Sequence, residues 1–171
     1  EWTNNMDFYE MEMREKKKAL GNAPASASPS SDSGVTMAYD RRTETKPLLS
    51  FLVPVYNERR FIQAILAKLS AVPLTKEIII VDDGSTDGTR GAPTENPING
   101  AVLLLHTKNQ GKGGALRTAL TKATGAYAAV QDADLEYDPN DYVELLKYAR
   151  QNNFKVAFGS RFLQPNPRIY W

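Results

Sequence analysis

The sequence predicts an α/β fold, a doubly wound and mostly parallel sheet, and three observations carry that reading. Five short apolar runs, LLSFLVPVY (48–56), EIIIV (77–81), AVLLLH (101–106), AYAAVQ (126–131) and KVAFG (155–159), have the length and continuous hydrophobicity of strands buried on both faces. Segments of helical period separate them, and that alternation marks parallel strands covered by helices on both sides. Three of the runs end in clusters of acidic and small polar residues. In sheets of this kind ligands bind beyond the carboxyl ends of the strands.

The elements follow in chain order. Residues 1–47 read as a tail. Glu10 to Leu20 has the composition of a short helix, and its basic run Arg14–Lys18, interrupted by Glu15, reads as a solvated face. The following Ala-, Ser- and Pro-rich stretch, 22–34, reads as a disordered linker, being too poor in large apolar groups to offset its ordering entropy. Residues 48–171 read as one α/β domain. Phe61, Ile62, Ile65, Leu66 and Leu69 form the inner stripe of a helix after the first strand. Pro93, Pro97 and glycines 88, 91 and 100 leave room only for a loop or a shortened helix after the second. A helix over about 112–123 presents Leu116 and Leu120, and one opening near Pro139 presents Tyr142, Leu145, Leu146 and Ala149.

Composition narrows the function classes. Of 171 residues 42% are hydrophobic, enough for a core, and the net charge of +1 gives no basic surface for nucleic acid. With no cysteine, disulfides, thiolate zinc sites and a cysteine nucleophile are excluded. No run reaches the roughly 18–20 apolar residues of a membrane span. A cytoplasmic protein, peripheral at a membrane at most, is the expectation.

The strand-end clusters carry the chemistry. They are Pro54-Val55-Tyr56-Asn57-Glu58, Asp82-Asp83-Gly84-Ser85-Thr86-Asp87-Gly88 and Asp132-Ala133-Asp134. Converging on one edge, so many carboxylates repel unless a cation joins them, and a hard divalent ion with oxygen ligands fits. The two-residue spacing of Asp132 and Asp134 turns both to one side of an extended segment. Mg²⁺ or Mn²⁺ held there with ligand phosphates would neutralise a diphosphate leaving group. Asp138, before Pro139, reads instead as a helix cap. Turn chemistry accounts for Gly84 and Gly88 but not for two adjacent acids after an Ile-Ile-Ile-Val strand, one of which is placed to accept from a base N–H or ribose hydroxyl. Tyr56 reads equally as a core aromatic or a stacking platform. Asn109-Gln110-Gly111-Lys112-Gly113-Gly114 opens a helix with glycines that let N–H groups approach a phosphate, yet it matches neither a P-loop nor a dinucleotide fingerprint. His106, the only histidine, reads as a satisfied or exposed imidazole, so no histidine triad is available.

Taken in order, PVYNE, VDDGSTDGT, NQGKGGA, QDADLEYDP and GSRF closely resemble family 2 glycosyltransferases, and within them the polyprenyl-phosphate sugar transferases, over about 49–162. The resemblance implies a Rossmann-like GT-A nucleotide-sugar domain with a divalent metal and a donor such as GDP-mannose or UDP-glucose. It implies that Pro54, Tyr56 and Glu58 line the nucleotide pocket and that Val81 and Asp83 meet base and ribose. Asp132, Ala133 and Asp134 would hold diphosphate and metal, with Glu136 a further ligand, and Arg161 would reach the diphosphate. The implied reaction is inverting hexosyl transfer to a polyprenyl or dolichyl phosphate, an acceptor already anionic and needing no protein base. Family members continue past GSRF into acceptor-binding segments, so the chain is expected to be a truncated, donor-binding part, with an inactive nucleotide-sugar-binding fragment as the alternative. A receiver-like signalling domain would want a lysine after a later strand, where Gly159-Ser160-Arg161 stands. A nucleotidyltransferase would want a basic Gly-rich loop in place of PVYNE.

Overall fold

A computed structural model describes the backbone of residues 6–9 and the whole of residues 34–159. The strands are β1 (Met6–Tyr9), β2 (Val35–Asp40), β3 (Leu49–Val55), β4 (Lys76–Asp82), β5 (Ala101–His106), β6 (Tyr127–Val130) and β7 (Val156–Gly159); the helices are α1 (Ile62–Ala71), α2 (Gly91–Glu95), α3 (Lys112–Lys122) and α4 (Asp141–Gln151). The strands form one sheet in the order β2-β5-β4-β3-β6-β1-β7. β5, β4, β3 and β6 are parallel neighbours. β1 runs antiparallel to both β6 and β7, so β7 shares the direction of the parallel set. All five strands anticipated from apolar runs therefore point the same way, and the architecture is the doubly wound, mostly parallel α/β sheet.

Alternation along β3 shows why both faces are covered. Leu49, Phe51, Val53 and Val55 enter one core with Ile62, Ile65, Leu66 and Leu69 of α1 and Tyr142, Leu146 and Ala149 of α4. Leu52 enters the other, with Ile79, Val81 and Val102. There Ala115 and Ala119, not Leu116 and Leu120, form the fully buried stripe of α3, the leucines being only partly covered. Small side chains let α3 lie close to the sheet, so the helix is rotated from the orientation its leucines suggested. Tyr142 is fully buried, edge-on to Phe51 at 5.2 Å, and its hydroxyl donates to the Val130 carbonyl at 2.6 Å.

Two parts of the expected tail belong to the sheet. β1 lies between β6 and β7 and supplies both with ladder partners. β2 covers the outer edge of β5, pairing Val35 to Asp40 against His106 to Val102. Its side chains are mostly exposed, so the ladder and the Arg42 contacts hold it. Arg42 donates to Asp40, to the Lys122 carbonyl at 2.9 Å and to the buried Glu77 at 3.3 Å. The anticipated helix over 10–20 and the linker up to 33 lie outside the described residues. α2 is the shortened helix expected among the prolines, with Pro93 buried inside it.

The chain winds outward from β3 through β4 to β5, then returns to place β6 on the other side of β3. β3 and β6 thus flank the topological switch point, where a crevice opens at the carboxyl ends.

Candidate active site

β6 stops beside Leu52, three residues before β3 ends. The chain after it therefore runs alongside the exit of β3, tied by the Gln131 N–H donating to the Leu52 carbonyl at 2.9 Å. This offset brings Asp132, Ala133 and Asp134 against Pro54, Tyr56 and Glu58. With Asp83 they line a cleft of about 410 Å³. Tyr56 lines it, 48% exposed, and is not a core aromatic. Burial pushes the Glu58 carboxyl up, and the charges of Asp134, Asp87 and Asp132 push it further. The anticipated convergence of carboxylates thus has an electrostatic signature.

The loops are clamped together by their own polar groups. The Asn57 N–H donates to Ser85 Oγ at 3.0 Å, and its side-chain oxygen accepts from the Thr86 N–H at 2.9 Å. Asn57 adopts a left-handed φ of 57°, a conformation asparagine tolerates better than most residues. Leu135 adopts one of 65°, where a leucine is strained, directly after Asp134, whose Oδ1 accepts from the Glu136 N–H at 3.0 Å. Gly84, at φ 79°, packs so tightly on the following loop that a Cβ would sit 2.7 Å from the Asn109 nitrogen.

The adjacent acids of β4 divide their labour. Asp82 Oδ1 accepts from the Ser85 N–H and from Nε and Nη2 of Arg90, at 3.0 and 2.8 Å. Arg90 also donates to the His106 carbonyl at 2.9 Å, tying the ends of β4 and β5. Asp83 faces the cleft. Its Oδ1 accepts from His106 Nδ1–H at 2.6 Å and from the Gln110 N–H at 2.9 Å, while its Oδ2 is buried without a partner. His106 is fully buried, with Nε2 2.9 Å from Thr118 Oγ1. Of the two states expected it is the satisfied imidazole and not the exposed one, and it also fixes the Asp83 carboxylate.

The structure does not bring every expected residue together. The Val81 side chain is fully buried in the core against α3 and does not line the cleft: it shares a face of β4 with Asp83 but sits two residues deeper in the sheet, under the helix. Glu136 is exposed and lies outside the lining. Arg161 lies outside the described residues. Asp138 does not take the capping role anticipated: Asn140 is the N-cap of α4, and Asp138 Oδ1 accepts from the Asn140 N–H at 3.0 Å in the turn before it. Among the described residues no three acid or histidine side chains form a ready-made metal cage. Asn109, Gly111 and Lys112 line the cleft although the sequence left the glycine loop open between turn and phosphate site. Lys112 Nζ lies 2.7 Å from Asp132 Oδ1 and 2.8 Å from Oδ2. Only the fold reveals this pairing across 20 residues.

Comparison with known proteins agrees with the geometry. A dolichol-phosphate mannosyltransferase of Pyrococcus furiosus is 30% identical over 126 residues, covering 72% of this chain and 36% of that protein. An undecaprenyl-phosphate 4-deoxy-4-formamido-L-arabinose transferase of Serratia proteamaculans is 32% identical over 117 residues, covering 64% of this chain and 36% of that protein. The chain thus spans about a third of the length of these curated relatives. Among solved structures, the mannosyltransferase PcManGT from Pyrobaculum calidifontis, in complex with GDP-Man and Mn²⁺, superposes with a TM-score of 0.54 at 29% identity, over 67% of this chain and 35% of that one. S. aureus TarS shares the fold at 23% identity, with a TM-score of 0.54 over 61% of this chain and 33% of the other. Residues 50–168 match Glycosyl transferase family 2, and on that match the chain belongs to this family.

Proposed function

We propose that the chain forms the donor half of an inverting hexosyltransferase that takes a sugar from a nucleoside diphosphate and passes it to a polyprenyl or dolichyl phosphate. The observation that carries this reading is the convergence of Glu58, Asp83, Asp132 and Asp134 on one cleft at the switch point. Tyr56 and Pro54 form a wall on which a base stacks, and the unpartnered Oδ2 of Asp83, buried at the cleft wall, accepts from a base N–H or a ribose hydroxyl. Names of relatives support the donor and acceptor classes: GDP-Man and Mn²⁺ occur together in the Pyrobaculum protein, and two relatives are named for polyprenyl-type phosphates.

The donor set fits Mg²⁺ or Mn²⁺. Asp132 and Asp134 supply two carboxylates, and such ions commonly take the rest of their octahedron from substrate phosphates and water. When bound, the ion neutralises the diphosphate and makes it a better leaving group. The residues of this chain hold the donor: Asp83 orients the nucleoside and Ala133 leaves room beside the diphosphate, with Arg161 and Glu136 as further candidates for the diphosphate and the metal. An acceptor phosphate oxygen then forms the bond to the anomeric carbon as the bond to the β-phosphate oxygen breaks on the opposite face. That oxygen is anionic already, so positioning and charge neutralisation carry the rate. A lipid acceptor places the reaction at a membrane surface, and no described helix is long and apolar enough to cross a membrane.

Calorimetry with GDP and with UDP, each with and without Mn²⁺, tests the donor reading. Metal-dependent binding of one of them, lost in Asp134→Ala, is the expected outcome; metal-independent binding, or none, refutes it. Transfer of labelled sugar to a polyprenyl phosphate by a chain of the relatives' full length tests the acceptor.

A further inference from the structure

The described lining of the cleft holds four carboxylates, Glu58, Asp83, Asp132 and Asp134, and one cation, Lys112. A diphosphate entering such a site meets net negative charge, and one divalent ion does not cancel it. Lys112 is the first residue of α3, where the helix dipole disfavours a positive charge, and the first turn of α3 carries no acid. Helix stability therefore gives no reason for a lysine there. Its ammonium is held by both oxygens of Asp132. The pair is open to solvent, Lys112 being 58% exposed, and an exposed ion pair contributes little to folding. Beside it Gly111 holds a left-handed φ of 80°, which favours glycine, whereas a Cβ on Gly113 would meet nothing within 4 Å, so neither packing nor φ demands that second glycine. Across the same cleft the buried Asp83 Oδ2 has no partner within the protein.

The geometry points to Lys112 as a partner-exchanging cation of the donor site. It neutralises Asp132 before the donor binds, and it passes to the donor diphosphate when a divalent ion takes up the same carboxylate oxygens. This inference rests on the proposed donor reading and adds a positioning residue to it. Lys112 and the metal compete for Asp132 but cooperate on the diphosphate, so one substitution has effects of opposite sign on the two ligands.

The test compares wild type with Lys112→Met, which keeps the stem and removes the charge, and with Lys112→Arg. Mn²⁺ alone, titrated by electron paramagnetic resonance, is expected to bind Lys112→Met about three- to tenfold tighter than wild type, because its competitor is gone. At saturating Mn²⁺, whichever of GDP and UDP binds wild type is expected to bind Lys112→Met about 10- to 100-fold more weakly. The corresponding monophosphate should change less, and Lys112→Arg should restore most of the diphosphate affinity. Shifts of the same sign for metal and nucleotide, or an unchanged diphosphate affinity, overturn the proposal. If wild type binds GDP or UDP and only the variant's contrast is missing, Lys112 alone loses its role; if wild type binds neither, the donor reading falls with it. Melting temperatures within about 1–2 °C of wild type, as the exposure of Lys112 predicts, separate these outcomes from misfolding.

Discussion

Replacing His106 tests whether the cleft is prepared from within the core. Asp83 Oδ1 depends on two donors, His106 Nδ1–H at 2.6 Å and the Gln110 N–H at 2.9 Å, and its other oxygen has none. Both side chains are nearly sealed from water, at 0% and 2% exposure. His106→Leu keeps most of the volume, so the cavity contribution is small. It removes one hydrogen bond to a charged group, about 1.5–3 kcal/mol, and leaves a buried carboxylate on a single amide. The expected loss of unfolding free energy is about 2–3 kcal/mol, measured by guanidinium titration with linear extrapolation. In an Asp83→Ala background the carboxylate is gone and the same substitution should cost under about 1 kcal/mol. The coupling between the two positions is therefore about 1.5–2 kcal/mol. If His106→Leu costs the same in both backgrounds, with coupling below about 0.5 kcal/mol, His106 is simply a core residue and does not set Asp83.

Three further outcomes follow from the same structure. Gly84→Ala should cost about 2–4 kcal/mol in the same titration, since it adds a left-handed alanine to a clash with the Asn109 backbone. Glu58→Gln should raise the metal-free melting temperature by roughly 1–3 °C at neutral pH. The folded-state carboxyl of Glu58 is raised above its ordinary value, so its ionisation costs stability as pH rises through the carboxylate range; the gain in the variant should vanish on acidification below it. Arg42→Leu should cost about 2–4 kcal/mol by the same measurement, because it leaves the buried Glu77 without a countercharge and frees the end of β2.

The sequence made the parallel strands legible because each is buried on both faces, and runs such as Glu77 to Val81 have no other stable use. β2 was illegible for the complementary reason: it is mostly exposed, held by ladder bonds to β5 and by Arg42, and hydrogen-bonded backbone leaves no mark on composition. Leu116 and Leu120 suggested a face for α3 that its alanines take instead, since close approach rewards small residues. At the site, the clusters were visible as acids after strands, but the distinction between Asp82 and Asp83 was not. Strand alternation and the distant Arg90 and His106 decide it. Lys112 escaped because its partner lies 20 residues away on another strand end.

The two ends of the sheet show why those differences identify function. The amino end buries one carboxylate, Glu77, and the carboxyl end two, Asp82 and Asp83. At the amino end Glu77 accepts from five donors, the Ser50 hydroxyl, the N–H and hydroxyl of Thr124, the Gly125 N–H and Arg42. Both of its oxygens have partners within the chain. At the carboxyl end Asp82 and Asp83 each keep one buried oxygen without a partner, Leu135 holds a strained φ, and Glu58 is crowded by like charge. Each of these lowers stability, and stability alone would remove them, as Arg42 and its neighbours do at the other end. On the donor reading proposed above, groups that arrive from outside would answer them: hydrogen-bond donors for Asp83, and positive charge for Glu58 and Asp134 and, beside Lys112, for Asp132.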